Sequence, residues 1–235
     1  MPGTGARREA LRHRLGLELG DVDAAAAVVV ALADDVVDGL GDRAGDDFEG
    51  TPLLSFSPPR IPDDAVDSLW VLAFGYRFAA GAEPAADGAI PPMSALRPGP
   101  VNEALAREAA AFASRRPLPI VAQWEVARVL TELGVDEVIS VEPDHDDDGS
   151  VVYLSTMGVI EKGLRLLAES GREPGRAGVL GHADHAWRCV ATARSAGLDA
   201  AVPEGVELPP DYDPESGQPW TRSREAYLPL DLIGR

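Results

Sequence analysis

The sequence predicts an α/β fold, a Rossmann-like parallel sheet of about five strands flanked by helices and preceded by a helical appendage. Three observations predict it. Short, continuous apolar runs recur from Ser68 onward: SLWV, LPIVA, EVISV, AGVL and LDAAV. Such runs suit parallel strands buried on both faces. Segments of helical length and pattern alternate with them, as βαβ units require. Most of the strand runs also give way to polar residues, where a strand hands over to a helix.

In chain order, residues 5–19 and 21–40 read as two helices broken at Gly20, with Asp21 as N-cap. The following GDRAGDD reads as an exposed loop. Four prolines between Pro52 and Pro62 make residues 50–65 a connecting arm. Residues 1–65 therefore read as an appendage, and 66–235 as the Rossmann-like domain with a C-terminal tail. A lid and a homodimer contact through the N-terminal helices are the other roles open to the appendage. After SLWVLAFGYR comes a Gly/Ala/Pro-rich loop over 79–99, then a helix opened by Pro100 with Asn102 as a cap. LPIVA leads into a helix stopped by Gly134. DEVISVEP is the third strand, followed by a helix over Met157–Ser170 behind the N-cap pair Ser155 and Thr156. AGVLG is the fourth strand, Ala183–Ala196 a helix, and LDAAV the fifth strand. The tail is too rich in turn residues to be regular before Arg222.

Composition narrows the function. The 235 residues carry 39 Asp and Glu against 21 Lys and Arg, a net charge of −18. That balance argues against binding nucleic acid backbones or anionic membranes, which need basic patches. Lys162 is the one lysine among the basic residues. No stretch reaches the ~18 apolar residues of a membrane span, and the basic N-terminus lacks the apolar core of a secretory signal. The single cysteine, Cys189, forms no internal disulfide and reads as a small core residue. A cytoplasmic protein is the expectation.

Right-handed crossovers place every strand-to-helix turn on one edge of a parallel sheet, and ligands bind at that edge. It would collect Gly75, Tyr76 and Arg77, then Gln123 and Glu125, Glu142, Ser155 and Thr156, and finally His182, His185 and Arg188. The stretch VLGHADHAWR at 179–188 is the centre of this set. His185 suits general acid–base catalysis at neutral pH. Arg188, one turn later, shares its helix face and offers a fork for carboxylate or phosphate. A salt bridge to an acidic residue would explain it too. Glu125 opens a helix, where a carboxylate is favoured with or without a ligand. His182, Asp184 and His185 are metal-ligand types but lack obvious further ligands. DHDDDGS at 144–150 resembles a calcium loop whose closing Glu is replaced by Ser155, so a solvated acidic loop is the better reading. In the tail, Gln218, Trp220 and Arg222 are candidate pocket contacts, and Tyr212, Trp220 and Tyr227 are aromatics able to fold over the crevice or to anchor the tail to the domain.

The order of these elements resembles the YdcF/SanA/ElyC-type family of α/β proteins over about residues 68–202. Glu125 matches the Glu of its second turn, Thr156 the Thr of its third, and His185 with Arg188 its His-x-x-Arg turn. The family's glycine clusters are replaced here by Gly75-Tyr76-Arg77 and by Ala122-Gln123-Trp124; such glycines let a backbone approach a phosphate. The resemblance implies a pocket for a small nucleotide-like or phosphorylated molecule, with S-adenosylmethionine as a candidate cofactor. The leading expectation is a protein binding such a metabolite, with His185, Glu125 and His182 as catalytic candidates and Arg188 as an anion clamp. A non-catalytic binding or scaffold protein and a metal-assisted hydrolase using His182 and His185 are the alternatives.

Overall fold

The structure, a computed structural model, describes residues 3–49, 54–82, 90–146 and 151–234. A six-stranded, all-parallel sheet lies at its centre, one strand more than expected. Its strands are β1 (Arg60–Ile61), β2 (Ser68–Val71), β5 (Ile120–Gln123), β6 (Val138–Val141), β9 (Arg176–Leu180) and β10 (Asp199–Pro203), in spatial order β1-β10-β9-β2-β5-β6. Two short antiparallel pairs stand apart: β3 (Arg77–Phe78) with β4 (Leu96–Arg97), and β7 (Asp144–His145) with β8 (Val151–Val152). The extra strand comes from the proline-rich arm, where Arg60 and Ile61 align with Val202 and Pro203 on the sheet edge. Edge strands tolerate neighbouring prolines because one side of their ladder is unused.

The chain runs outward from β2 through β5 to β6, then returns to the other side of β2 with β9 and continues to β10. The direction of winding therefore reverses between β2 and β9, which makes their C-terminal ends the topological switch point. With right-handed crossovers, α4 (Pro100–Arg115) and α5 (Trp124–Glu132) cover one face. The other is covered by α6 (Thr156–Glu169) and α7 (Ala186–Ser195), and each pair packs together. Trp70 of β2 lies beneath α6 and is accommodated by Gly163, where a Cβ would stand 2.7 Å from both the Trp70 ring and Val121.

The N-terminal segment forms three helices, not two: α1 (Thr4–Leu19), α2 (Val22–Ala31) and α3 (Asp34–Ala44). Arg8 accounts for the division. Its guanidinium takes the Val29 and Leu32 carbonyls at 2.6 and 2.7 Å and the Asp34 carboxylate at 2.9 Å. One side chain thereby caps the end of α2 and anchors the start of α3. The expected GDRAGDD loop is instead partly helical, and its acids bind Arg7, with Asp42 and Asp46 within 2.9 Å of the buried guanidinium. Asp21 caps α2 as expected. α2 packs on the C-terminal helix α8 (Arg224–Ile233), and the buried side chains of the segment join those of the sheet in one continuous core.

Two helix starts differ from expectation. Asn102 does not cap α4, whose N-cap is Gly99, because its side chain is needed at the end of β2. Helix α7 begins at Ala186, since His182 to His185 form a tight turn in which the His182 carbonyl accepts from both His185 and Ala186. The acidic run after β6 begins as a hairpin strand with Asp144 bound to Lys162 at 2.6 Å, and Asp147, Asp148 and Gly149 lie outside the described residues.

Candidate functional site

A cavity of about 600 Å³ opens at the switch point, within the ~300–1,000 Å³ typical of small-ligand sites. Its first wall is the turn after β2. Buried Asn102 shapes that turn, accepting from the Phe74 N–H at 2.9 Å and donating to the Gly75 carbonyl at 2.7 Å. Gly75 has φ +75, and a Cβ there would lie 2.5 Å from the hydroxyls of Ser216 and Thr221. The glycine thus admits the protein's own tail. The Gly217 N–H then donates to the Tyr76 carbonyl at 2.6 Å, and the tail closes the cavity with Gln218 and half-exposed Trp220.

Three helices point their N-termini at this space. Gln123 is the N-cap of α5 and Ser155 that of α6, with Thr156 as first residue; His185 is the N-cap of α7. All four residues line the cavity, as does Arg188. Among the described residues lining it there is no Asp or Glu, despite the chain's charge of −18. Helix N-termini favour negative charge, and no described carboxylate in the lining opposes one.

Two hydrogen-bonded chains run from the cavity into the core. In the first, Nδ1 of His185 lies 2.6 Å from the Tyr227 hydroxyl, which donates to Oδ1 of fully buried Asp231 at 2.9 Å. Arg188 joins it, with Nη2 donating to Tyr227 at 3.2 Å and Nε 2.8 Å from Asp231. The latter contact is an ion pair whose alignment is too poor for a hydrogen bond. Arg188 therefore has the acidic partner that competes with a ligand role, and its charge is balanced from inside the protein. In the second chain, Gln123 accepts from the Ala73 N–H at 3.1 Å and donates to the Tyr153 hydroxyl at 2.9 Å; that hydroxyl bonds Glu125 Oε1.

Several expected site residues lie elsewhere. Glu125 is 0% exposed and reaches the cavity only through Tyr153. Its side chain turns away from the cavity into the core, where burial pushes its pKa up to about 8. His182 is sealed against Phe74, rings stacked at 4.1 Å, and burial pushes its pKa down to about 4, leaving it neutral at physiological pH. Arg77 points to the tail and holds Asp213 through two bonds of 2.8 and 2.7 Å. Arg222 donates to the Ser216 carbonyl at 2.6 Å and shapes the tail without lining the cavity. Glu142 is exposed and accepts from Ser140. Asp184 is clasped by Arg224 and Tyr212, which pins the tail over the β9 turn. Cys189 is buried, and burial pushes its thiol well up, so it packs as a small core residue.

Gly75, Tyr76, Gln123, Ser155, Thr156, His185, Arg188 and Trp220 do come together as expected. Sequence reasoning missed Tyr153, which lines the cavity, and Asp231, which lies behind it. Tyr227 it took only as an aromatic able to fold over the crevice. A signal for the latter two existed: Tyr227 and Asp231 are four residues apart, hence neighbours on one helix face. Among the described residues, no three His, Cys, Asp or Glu side chains gather as metal ligands, and no helix is long and apolar enough to cross a membrane. No protein-family model, curated protein or solved structure matches this chain.

Proposed function

We propose that this chain binds a small anionic metabolite with a flat ring system, of the nucleotide-like or phosphorylated kind, in the switch-point cavity. His185 is the group placed for proton transfer to or from it. The observation that carries the reading is the absence of carboxylates from the described lining of a strongly acidic protein, beside three convergent helix N-termini. Anion affinity comes from those helix ends and from the Gln123, Gln218, Ser155 and Thr156 side chains. Trp220 on the rim, with Tyr76 and Tyr153 inside, supplies faces on which a ring can stack.

A thermal-shift screen tests the reading, since a ligand of the folded state raises Tm by mass action. Adenosine monophosphate, S-adenosylmethionine, glucose 6-phosphate and inorganic phosphate form the panel. A ring-bearing anion is expected to raise Tm more than phosphate does; no shift from any of them would overturn the reading. A binding protein without turnover is the second reading, favoured by the sealing of Glu125 away from the cavity. Replacing His185 with Gln separates the two: loss of turnover with affinity kept within about tenfold, ~1.4 kcal/mol, supports catalysis, and a change in affinity alone supports binding.

A further inference from the structure

We infer that Tyr227 and Asp231 are positioning residues that hold His185 in one tautomer, with its proton on Nδ1 and its lone pair on Nε2. This deepens the proposed role of His185 and rests on that reading for its catalytic meaning, though the tautomer itself does not.

The protons along the chain of bonds can be counted. Asp231 is fully buried, 2.8 Å from the Arg188 guanidinium, and a carboxylate in that setting is ionised and can only accept. Tyr227 has a single proton, and its bond to Asp231 at 2.9 Å uses it. What remains on the Tyr227 oxygen is acceptor capacity. Arg188 Nη2, which can only donate, takes part of it at 3.2 Å. His185 Nδ1 stands 2.6 Å from the same oxygen, so Nδ1 must supply the hydrogen. The opposite arrangement, with Tyr227 donating to Nδ1, would set the Tyr227 lone pairs against the Asp231 carboxylate. A neutral imidazole protonated at Nδ1 carries its lone pair at Nε2.

The consequence is a base with a fixed direction. Nε2 takes the proton of an O–H group, from water or a hydroxyl of the bound ligand, and the electron pair of that bond stays on the oxygen. The ring becomes an imidazolium whose Nδ1–H still donates to Tyr227. Asp231, shared with Arg188, is the negative charge behind it. A carboxylate that orients a histidine through an intermediate hydroxyl does the work that a direct carboxylate–histidine contact does elsewhere. The C-terminal helix thereby belongs to the site, although it is remote in sequence from the β9 turn.

Long-range ¹H–¹⁵N spectra of the histidine side chains in the full chain test this without any ligand. They are recorded at mildly alkaline pH, where imidazole rings are neutral, with His185 assigned by its loss in His185→Gln. In the wild type the Nδ1–H form is expected to dominate. In Tyr227→Phe the acceptor for Nδ1–H is gone, and the population is expected to swing to the Nε2–H form. Asp231→Asn is the second variant, expected to shift the balance the same way. A wild-type spectrum dominated by Nε2–H overturns the inference even if neither variant folds, and so does a tautomer that ignores both substitutions. Failure of the metabolite panel to bind leaves these spectra unaffected, so the two ideas fail separately.

Discussion

Glu125 and His182 are the two residues whose burial leaves the clearest trace in stability, and their effects oppose each other. Glu125 holds its proton to about pH 8 in the folded chain, whereas the unfolded chain releases it near the ordinary 4.5. Over that window the folded state binds the extra proton, so stability falls as pH rises. His182 is the mirror case: the unfolded chain protonates near 6.5, the folded chain only near 4, so its contribution falls as pH drops through that window. Each slope approaches ~1.4 kcal/mol per pH unit, and between about 4.5 and 6.5 they cancel. Urea denaturation of Glu125→Gln is expected to lose the decline between pH 6.5 and 8, and to be more stable than wild type at pH 8 by a few kcal/mol. His182→Gln is expected to uncover the Glu125 slope, gaining stability as pH falls from 6.5 to 4.5 where the wild type is level. Parallel pH profiles for wild type and Glu125→Gln would contradict the burial of an un-ionised carboxyl. Neither behaviour was legible in the sequence. Glu125 at a helix start looked like a solvent- or ligand-facing acid, and only the packing of α5 turns it inward to Tyr153.

At the scale of elements, close approach decides where a glycine is required. Gly163 lies inside α6, where Ala is ordinarily better by ~1 kcal/mol. Its Cβ would meet Trp70 and Val121 at 2.7 Å, so Gly163→Ala is expected to destabilise by about 1–3 kcal/mol through overpacking. Gly39 lies inside α3, with nothing nearer than the Arg43 side chain at 3.9 Å, and Gly39→Ala is expected to stabilise by up to ~1 kcal/mol. Denaturant midpoints measure both; equal effects would mean that α6 does not press on the sheet as described. The central strands were legible because a strand covered on both faces must be apolar where it is buried, and residues 69–71, 120–122 and 177–180 are unbroken apolar or glycine runs. The division of α2 from α3 was not, because it depends on Arg8 reaching across from another helix. Asn102 misled for a related reason: an asparagine near a helix start commonly caps it, and here the same amide clamps the β2 turn. Arg77 and Arg222 were drawn into the expected pocket by their position in the chain, but the folded tail supplies their partners.

For the whole molecule, the reversal of winding between β2 and β9 fixes where a site can be, and the lack of described carboxylates in the cavity lining there marks it. A net charge of −18 strains the compact state by self-repulsion. Added sodium chloride is therefore expected to raise Tm by screening, and a steady fall would show that ion pairs such as those of Arg7 outweigh the repulsion. The alternating apolar runs were enough to place the crevice, since topology follows from element order and crossover hand. What covers it was not legible, because the tail closes over β2 from some 140 positions away, as the bond from Gly217 to Tyr76 shows. The place where a ligand binds is the most direct test of the switch-point cavity. Calorimetric titration of adenosine monophosphate into wild type and into Thr156→Trp, which fills the cavity from the start of α6, locates it. One site in the wild type, weakened at least tenfold or ~1.4 kcal/mol in the variant, is the predicted result; binding of equal strength in both would put the ligand somewhere else.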